Sequence, residues 1–214
     1  MTELLVLLVR VVNSQSFLNL DFESADLTAY PGGGTVPATN AFPGWTVNAQ
    51  YIIYDDISLS GESISVIDTN TGYPSIQGSY YALFVPGTSP SGMPPQPAIS
   101  LGQTGTIPLG THSITFWGRI GGLQITFAGQ SLAFSQTGTT PNYNIYAADV
   151  SAFAGQTGQL LFSAPAYVSG ATLDNILFSP SQVPEPSTFA LSALGALLLV
   201  ARFLRCRRAG TTGH

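Results

Sequence analysis

The sequence predicts an all-β body that folds as a β-sandwich, followed by a single C-terminal transmembrane helix. Only 8% of the 214 residues are charged, whereas glycine occurs 23 times and proline 15 times. Short apolar or alternating segments are separated by glycine-rich turns at intervals of about 8–12 residues, a spacing typical of sandwich strands. Near the end, the uncharged and mostly apolar run 189–201 is followed by an arginine cluster. We therefore divide the chain into residues 1–14, 15–180 and 181–214.

Residues 1–14 have the character of a degenerate secretory signal. The stretch 4–12 is apolar apart from Arg10, and Asn13 and Ser14 offer small residues for cleavage. Glu3 and the lack of a basic residue before the apolar stretch are atypical of such a signal. A start assigned too late would explain this pattern, and a first β-strand is the alternative interpretation.

The body, residues 15–180, reads as a series of short strands. Leu18, Leu20 and Phe22 alternate with polar residues, which predicts a half-buried opening strand over 17–23. Trp45 follows a Pro-Gly turn and is expected in the core. Residues 30–40, 72–78 and 87–97 are predicted loops or turns, and 149–155 a short helical turn. The remaining strands are predicted at 43–47, 51–54, 64–67, 80–85, 98–101, 112–117, 123–127, 131–134, 143–148, 160–163 and 172–178.

The charge of the body excludes a class of partner. Between residues 15 and 180 there are nine acidic residues and one basic residue, Arg119, so the net charge is 1 − 9 = −8. Such a surface repels phosphate backbones, which excludes nucleic-acid binding. The acidic body, in a chain without lysine, fits an extracellular domain. Cys206 is the only cysteine of the chain, so no disulfide forms within it.

The tail predicts a membrane anchor. The uncharged run alone is shorter than the roughly 20 residues of a span, but Arg202 can extend its snorkelling side chain and lengthen the apolar segment to Leu204. Most of the basic residues follow the run, which places the C-terminus in the cytoplasm. A buried core helix is the alternative. The predicted anchor residues are Phe189, Leu191, Leu194, Leu197, Leu198, Leu199 and Val200, and the cytoplasmic stop is Arg202, Arg205, Arg207 and Arg208.

The order Pro184-Glu185-Pro186, apolar helix and arginine cluster resembles the PEP-CTERM sorting signal of bacterial envelope proteins. The resemblance implies recognition by an exosortase, a membrane-embedded protease that cleaves near residues 184–187. It also implies a bacterium that secretes exopolysaccharide, and a protein anchored in the inner membrane with its body exported, for processing to the outer surface or the extracellular matrix.

Several pieces of the body together resemble the galactose-binding-like jelly roll of carbohydrate-binding modules. These pieces are residues 19–23, 42–45, 78–83, 149–156 and 173–176. The resemblance implies a structural calcium ion between the first and last strands, at positions matching Asp21, Glu23 and Asp174. The alternative is that Asp174 caps a turn and Asp21 faces solvent.

Glycan contacts require aromatic rings beside polar groups, because the CH faces of sugars stack on rings while carboxylates and amides hold the hydroxyls. For each ring, a place in the core or on an edge strand is the alternative. The rings in or beside predicted loops are Tyr30, Tyr51, Tyr54, Tyr73, Trp117 and Tyr167.

The sequence contains few candidates for catalytic residues or motifs. The body holds one histidine and no nucleophile-elbow, zinc-protease or P-loop motif. Asp55 and Asp56 are the most suggestive carboxylate pair, although neighbours on a strand point to opposite faces unless they lie in a turn. Three hypotheses follow: a non-enzymatic envelope protein associated with exopolysaccharide, a lectin-like module with defined glycan specificity, or a polysaccharide hydrolase.

Overall fold

The computed structural model describes residues 16–55, 62–87 and 98–183. All of them belong to the first of two compact units, Met1–Val183, and the second unit is Pro184–His214. The predicted signal-like segment, the sorting tail with its membrane helix, Asp56 and most of the loop 87–97 lie outside the described residues. No helix within the described ranges is long and apolar enough to cross a membrane.

The described residues form strands with little helix. They contain one four-residue helix, α1 (Ala38–Ala41), and 3-10 turns at Thr69–Thr71 and Ser151–Phe153. The strands are β1 (Gly34–Thr35), β2 (Thr46–Asn48), β3 (Tyr51–Tyr54), β4 (Ser63–Asp68), β5 (Tyr80–Val85), β6 (Ile99–Thr106), β7 (Ser113–Gly118), β8 (Gln124–Phe127), β9 (Gln130–Ser131), β10 (Phe134–Thr139), β11 (Asn144–Asp149), β12 (Thr157–Ala164) and β13 (Ala171–Ser179).

The strands form two sheets. The larger sheet has eight strands in the order β1-β3-β4-β5-β13-β7-β11-β10, and the smaller has five in the order β2-β6-β12-β8-β9. Strands β3 and β4 run parallel, whereas the neighbouring pairs β1–β3 and β4–β5 are antiparallel. The predicted all-β sandwich is therefore confirmed.

One apolar core joins the two sheets. Phe116 of β7 meets Phe162 of β12 edge to face, with ring centroids 5.8 Å apart. Trp45 lies in this core as predicted, with its ring 5.7 Å from that of Phe22. Burial of such large side chains is the main favourable term in folding.

A second, smaller cluster lies on the opposite face of the larger sheet. Along β4 and β5, Val66 and Ala82 face the main core, so their neighbours Ile67 and Tyr81 point the other way. Residues 69–79, which we call the β4–β5 loop, contribute buried Ile76 to this cluster. The loop therefore folds back over the outer face of the sheet.

The prediction of an opening strand over residues 17–23 is wrong. Asn19 and Phe22 adopt left-handed backbone angles (φ 49° and 59°), which break an extended chain. Trp45 Nε1 donates a hydrogen bond of 2.9 Å to the Asn19 carbonyl oxygen, which fixes the turn over the core. Leu18, expected to be half-buried, is 55% exposed. Side-chain and ring contacts therefore outweigh the alternating pattern.

Two further boundaries differ from the predictions. The predicted loop 30–40 contains β1 and most of α1, and the predicted strand 131–134 is divided between β9 and β10. The other predicted strands are found with ends shifted by a few residues, and those at β3 and β5 match without a shift. The helical turn expected in 149–155 is the 3-10 turn Ser151–Phe153.

Candidate functional site

The candidate site is a polar groove at the edge of the larger sheet. Residues 31–34, Tyr54, Asp55 and Thr71 line it, and its volume is about 320 Å³. We call it the glycine-loop groove. It forms because β1 pairs with β3, which places Gly34 opposite Tyr54, and because the β4–β5 loop brings Thr71 alongside. Three separate parts of the sequence thus meet there.

One wall of the groove has almost no side chains. Gly33 and Gly34 have positive φ angles of 69° and 97°, a conformation that favours glycine. A Cβ atom built on Gly32 or Gly34 meets no other heavy atom within 4 Å. The glycines therefore leave open space that a larger side chain would fill.

Asp55 is fixed in the groove. Its φ of 56° lies in the left-handed region, which aspartate tolerates better than most residues. Its Oδ1 accepts a 2.8 Å hydrogen bond from the Thr71 hydroxyl and a 3.4 Å contact from the Asp68 backbone N–H. The same Thr71 hydroxyl lies 2.7 Å from the Asp68 carbonyl oxygen. The carboxylate is thus held in place before any ligand binds.

Tyr54 supplies the aromatic side of the groove. Its hydroxyl donates a 3.1 Å hydrogen bond to Oδ2 of buried Asp68. Burial first, and then the hydrogen bond and charge of Asp68, raise the pKa of Tyr54 to about 12. The hydroxyl therefore stays protonated at neutral pH, and its proton is committed to Asp68.

Asp68 has a structural role. Besides the Tyr54 hydroxyl, its carboxylate accepts hydrogen bonds of 2.8 Å from the backbone and side-chain nitrogens of Asn70. This arrangement caps the 3-10 turn Thr69–Thr71. Both carboxylate oxygens of Asp68 therefore accept hydrogen bonds, and the residue holds the Tyr54 hydroxyl and the turn that carries Thr71 beside the groove.

The surroundings of the groove are acidic. Burial first, and then the charges of Asp68, Glu23 and Asp26, raise the pKa of Tyr80, which lies opposite Asp68 on β5. Arg119 is the only lysine or arginine among the described residues. Its guanidinium donates to the carbonyl oxygens of Asn142 and Pro141, not to a carboxylate. The described lining of the groove therefore carries negative charge without a basic side chain.

The predicted aromatic contacts do not form one site. Tyr54 lies in the groove, and Tyr30 is half-buried against the main core just before the glycines. Tyr51 and Tyr167 are exposed by 45% and 57%. Tyr73 and Trp117 instead join the second cluster. Glycan contact by these rings stays a prediction.

The second cluster includes a ring that the sequence analysis missed. Tyr143 stacks on Trp117, with centroids 5.0 Å apart and planes 8° from parallel. Asn142 Nδ2 donates to the Ser75 carbonyl oxygen at 3.2 Å, which ties this turn to the β4–β5 loop. Tyr143 follows a Pro-Asn pair in the sequence, a turn signal that marks it as a loop aromatic.

The three carboxylates predicted to bind calcium accept hydrogen bonds from backbone N–H groups. No group of three or more histidine, cysteine, aspartate or glutamate side chains in the described ranges converges as a metal site. Asp21 is exposed. Glu23 Oε1 accepts hydrogen bonds from the backbone N–H groups of Ser79 and Tyr80. Buried Asp174 accepts hydrogen bonds from the backbone N–H groups of Gln77 and Asn175. Backbone amides, which need acceptors once buried, are therefore the observed partners of Glu23 and Asp174, and calcium binding by these residues stays a prediction.

Of the predicted carboxylate pair, only Asp55 lies among the described residues. Its left-handed backbone places it in a turn at the end of β3, the setting in which neighbouring carboxylates could converge. Thr71 and the glycine wall, formed by Gly32, Gly33 and Gly34, were not predicted as parts of a site. The triple glycine and the acidic residue at a strand end were the available signals, but their meeting depends on the pairing of β1 with β3.

Comparisons with solved structures give weak similarity. The chain aligns with TmCBM61, solved in complex with beta-1,4-galactotriose, at 14% identity and a TM-score of 0.37, over 77% of this chain and 97% of that one. It also aligns with the enzymatically active domain of tailspike protein 4 of bacteriophage CBA120, at 16% identity and a TM-score of 0.38. That alignment covers 68% of this chain and 21% of the tailspike chain.

The comparison with curated proteins gives no match. The family described as the PEP-CTERM protein-sorting motif matches residues 182–208. This confirms the resemblance drawn from Pro184-Glu185-Pro186 and the arginine cluster. The chain therefore carries a PEP-CTERM sorting motif, the signal of a protein exported and sorted by an exosortase at the cell envelope.

Proposed function

We propose that this chain is a non-enzymatic bacterial envelope protein whose jelly-roll body associates with extracellular polysaccharide through the glycine-loop groove. The sorting motif supports an exported location for the body. The single observation that carries the binding role is the groove itself, in which a glycine wall, a tyrosine and a fixed carboxylate meet.

The groove has the features that sugars require. Its volume of about 320 Å³ is at the lower end of the range for ligand sites, roughly 300–1,000 Å³. Asp55 offers carboxylate oxygens to sugar hydroxyls, and the half-buried ring of Tyr54 offers an apolar surface to sugar CH groups. The open glycine wall allows a chain to enter and leave, as a polymer must.

The proposed lack of catalysis is supported by the state of the carboxylates. Glycosidases use a protonated acid and a second carboxylate about 5–9.5 Å apart. Asp68 is the described acid nearest to Asp55 along the hydrogen-bond network, and both of its oxygens already accept hydrogen bonds. It is therefore poorly placed to donate or accept a proton during hydrolysis.

We also propose that the C-terminal tail is inserted in the membrane and then cleaved. We expect residues 187–204 to span the inner membrane, with the arginines in the cytoplasm, and an exosortase to cleave near Pro184-Glu185-Pro186. Intact mass and terminal mapping of the protein from its native envelope test this. We expect an N-terminus after the signal-like segment and a C-terminus near residue 186. Full-length protein in the cytosol contradicts it.

Binding is tested by filling the groove. Gly32 is the suitable position, because its φ is not in the left-handed region and a side chain there meets open space. Gly32→Leu should abolish retention on exopolysaccharide purified from the source bacterium. Ala133→Leu, a change at another exposed position between β9 and β10, should leave retention unchanged.

The same experiment separates the alternatives. Loss of retention in Gly32→Leu together with a narrow pattern on a glycan array supports a lectin-like module with defined specificity. Release of reducing ends that disappears in Asp55→Asn indicates a hydrolase. If Gly32→Leu is retained on the exopolysaccharide as well as Ala133→Leu, the groove is not the binding site.

A further inference from the structure

The charge and hydrogen bonds of the groove point to a ligand class, and we propose that it selects glycans with free amines, such as unacetylated hexosamines, over neutral and anionic ones. The inference rests on the proposed binding function of the glycine-loop groove. It adds a selectivity that neither the sorting motif nor the fold specifies.

The side chains of the groove offer acceptors. The Tyr54 hydroxyl already donates to Asp68, and the Thr71 hydroxyl already donates towards Asp55 Oδ1 and the Asp68 carbonyl oxygen. Two backbone donors of the lining are also used, since Gly33 N–H donates to the Tyr30 carbonyl oxygen and Asp55 N–H to that of Val66. The side chains of the groove are therefore matched better by a ligand that donates hydrogen bonds than by one that accepts them.

The charge of the groove favours a cation. Asp55 lines the groove, Asp68 lies behind it, and Arg119 is bound to the carbonyl oxygens of another turn. A uronate or sulfate group would lie beside a carboxylate, and no basic side chain of the described lining offsets the repulsion. An ammonium group there gains a charge-assisted hydrogen bond.

The carboxylate is also preorganised. Asp55 is held by Thr71, by the backbone of Asp68 and by its own left-handed backbone, so an ammonium group meets it with little loss of side-chain freedom. Because the groove is open to solvent, the interaction is screened by salt, and the selectivity should be moderate.

The test compares glucosamine oligomers with N-acetylglucosamine and galacturonate oligomers of the same length. Calorimetry with the full-length protein at about pH 6, where an amine is protonated, gives the three affinities. We expect the amine form to bind about fivefold more tightly than the acetylated form at low salt, the range of a partly exposed ion pair. The preference should vanish at about 1 M salt, where the Debye length is about 3 Å.

The variants separate the groove from the general acidity of the body. Asp55→Asn should remove the preference for the amine while leaving binding of the acetylated oligomer. Asp149→Asn makes the same charge change on β11, five strands away from β3 in the sheet, and should leave the preference intact. If both variants lose it equally, the preference comes from overall charge and the inference fails.

The remaining outcomes distinguish the two proposals. Equal affinity for all three oligomers, or tighter binding of the galacturonate, overturns the selectivity. If Gly32→Leu still abolishes binding in that case, the proposed function stands. Absence of binding by every oligomer and by the native exopolysaccharide overturns both.

Discussion

Asp55 and Asp174 hold opposite ends of the same β4–β5 loop, yet they lie in different surroundings. Asp55 accepts from the Thr71 hydroxyl at the start of the loop and lines an open groove. Asp174 is fully buried on β13 and accepts a 2.9 Å hydrogen bond from the Gln77 backbone N–H near its end. Glu23 adds a second anchor beside Asp174, through Ser79 and Tyr80.

The difference shows how one residue type serves two purposes. Burial is the main cause that raises the pKa of Asp174 to about 8. Hydrogen bonds from the backbone N–H groups of Asn175 and Gln77 lower this pKa, whereas the charges of Glu23 and Asp21 raise it further. Asp174 is thus a buried acceptor that fixes the loop. Asp55 is half-buried and lines the open groove, so its carboxylate is available to a ligand. The following experiments test this contrast.

The largest expected effect is the pH dependence of stability. An unfolded aspartate has a pKa of about 4, so between about pH 4 and pH 8 the folded protein binds more protons than the unfolded chain. The free energy of unfolding should therefore fall as pH rises through this window, by up to about 1.4 kcal/mol per pH unit. Urea denaturation of the full-length protein at several pH values measures it.

Asp174→Asn provides the control, because asparagine keeps one acceptor oxygen and does not titrate. The slope should flatten in this variant, and the difference between the two proteins cancels other titrating groups. Identical slopes show that Asp174 is ionised in the folded state like a surface carboxylate.

Glu23→Ala should have the next largest effect. The change leaves the backbone N–H groups of Ser79 and Tyr80 without their acceptor, and loss of hydrogen bonds to a charged group costs about 2–3 kcal/mol. Thermal and urea unfolding measure the loss. Exposed Asp21→Ala, whose carboxylate has only a 3.4 Å contact with the Glu23 N–H, should cost less than about 0.5 kcal/mol. Similar costs for both indicate that the loop is not anchored by Glu23.

Thr71→Val should cost about 1 kcal/mol, because it removes a hydroxyl that bonds to Asp55 and to the Asp68 carbonyl while preserving the side-chain shape. Thr104→Val, at the exposed position of the mostly buried strand β6, is the matched change. A Thr71 variant as stable as the Thr104 variant shows that Asp55 is positioned by its backbone alone.

Asp55→Asn should have the smallest effect on folding, within about 0.5 kcal/mol, because asparagine also tolerates the left-handed backbone and keeps the oxygen that Thr71 contacts. The same denaturation measurements test it. A cost comparable to that of Glu23→Ala contradicts the contrast between a binding carboxylate and a structural one.

Local patterns predicted much of the sandwich. Continuous apolar runs with β-branched and aromatic residues identified β3 and β5 with their observed bounds, and the Pro-Gly turn before Trp45 identified a core ring. The segment 17–23 failed because its turn depends on distant partners. Asn19 bonds to Pro43 and Trp45, more than 20 residues away. Alternation alone contains no information about such contacts.

The candidate site was predicted only in part. Tyr54 and Asp55 were named as glycan and carboxylate candidates, whereas Thr71 and the glycine wall were not. The parallel pairing of β3 with β4 and the antiparallel pairing of β3 with β1 bring these residues together. Strand order in a sheet depends on the packing of the whole core, so it could not be inferred from neighbouring residues.

The sequence by itself determined the sorting motif, the acidic character of the body and its division into short strands, because these depend on composition and on residues close together in the chain. The tertiary structure decided which carboxylates are buried and which remain open to a ligand. Asp55 and Asp174 are the same residue type, and their roles differ because the fold desolvates one and leaves the other in a groove.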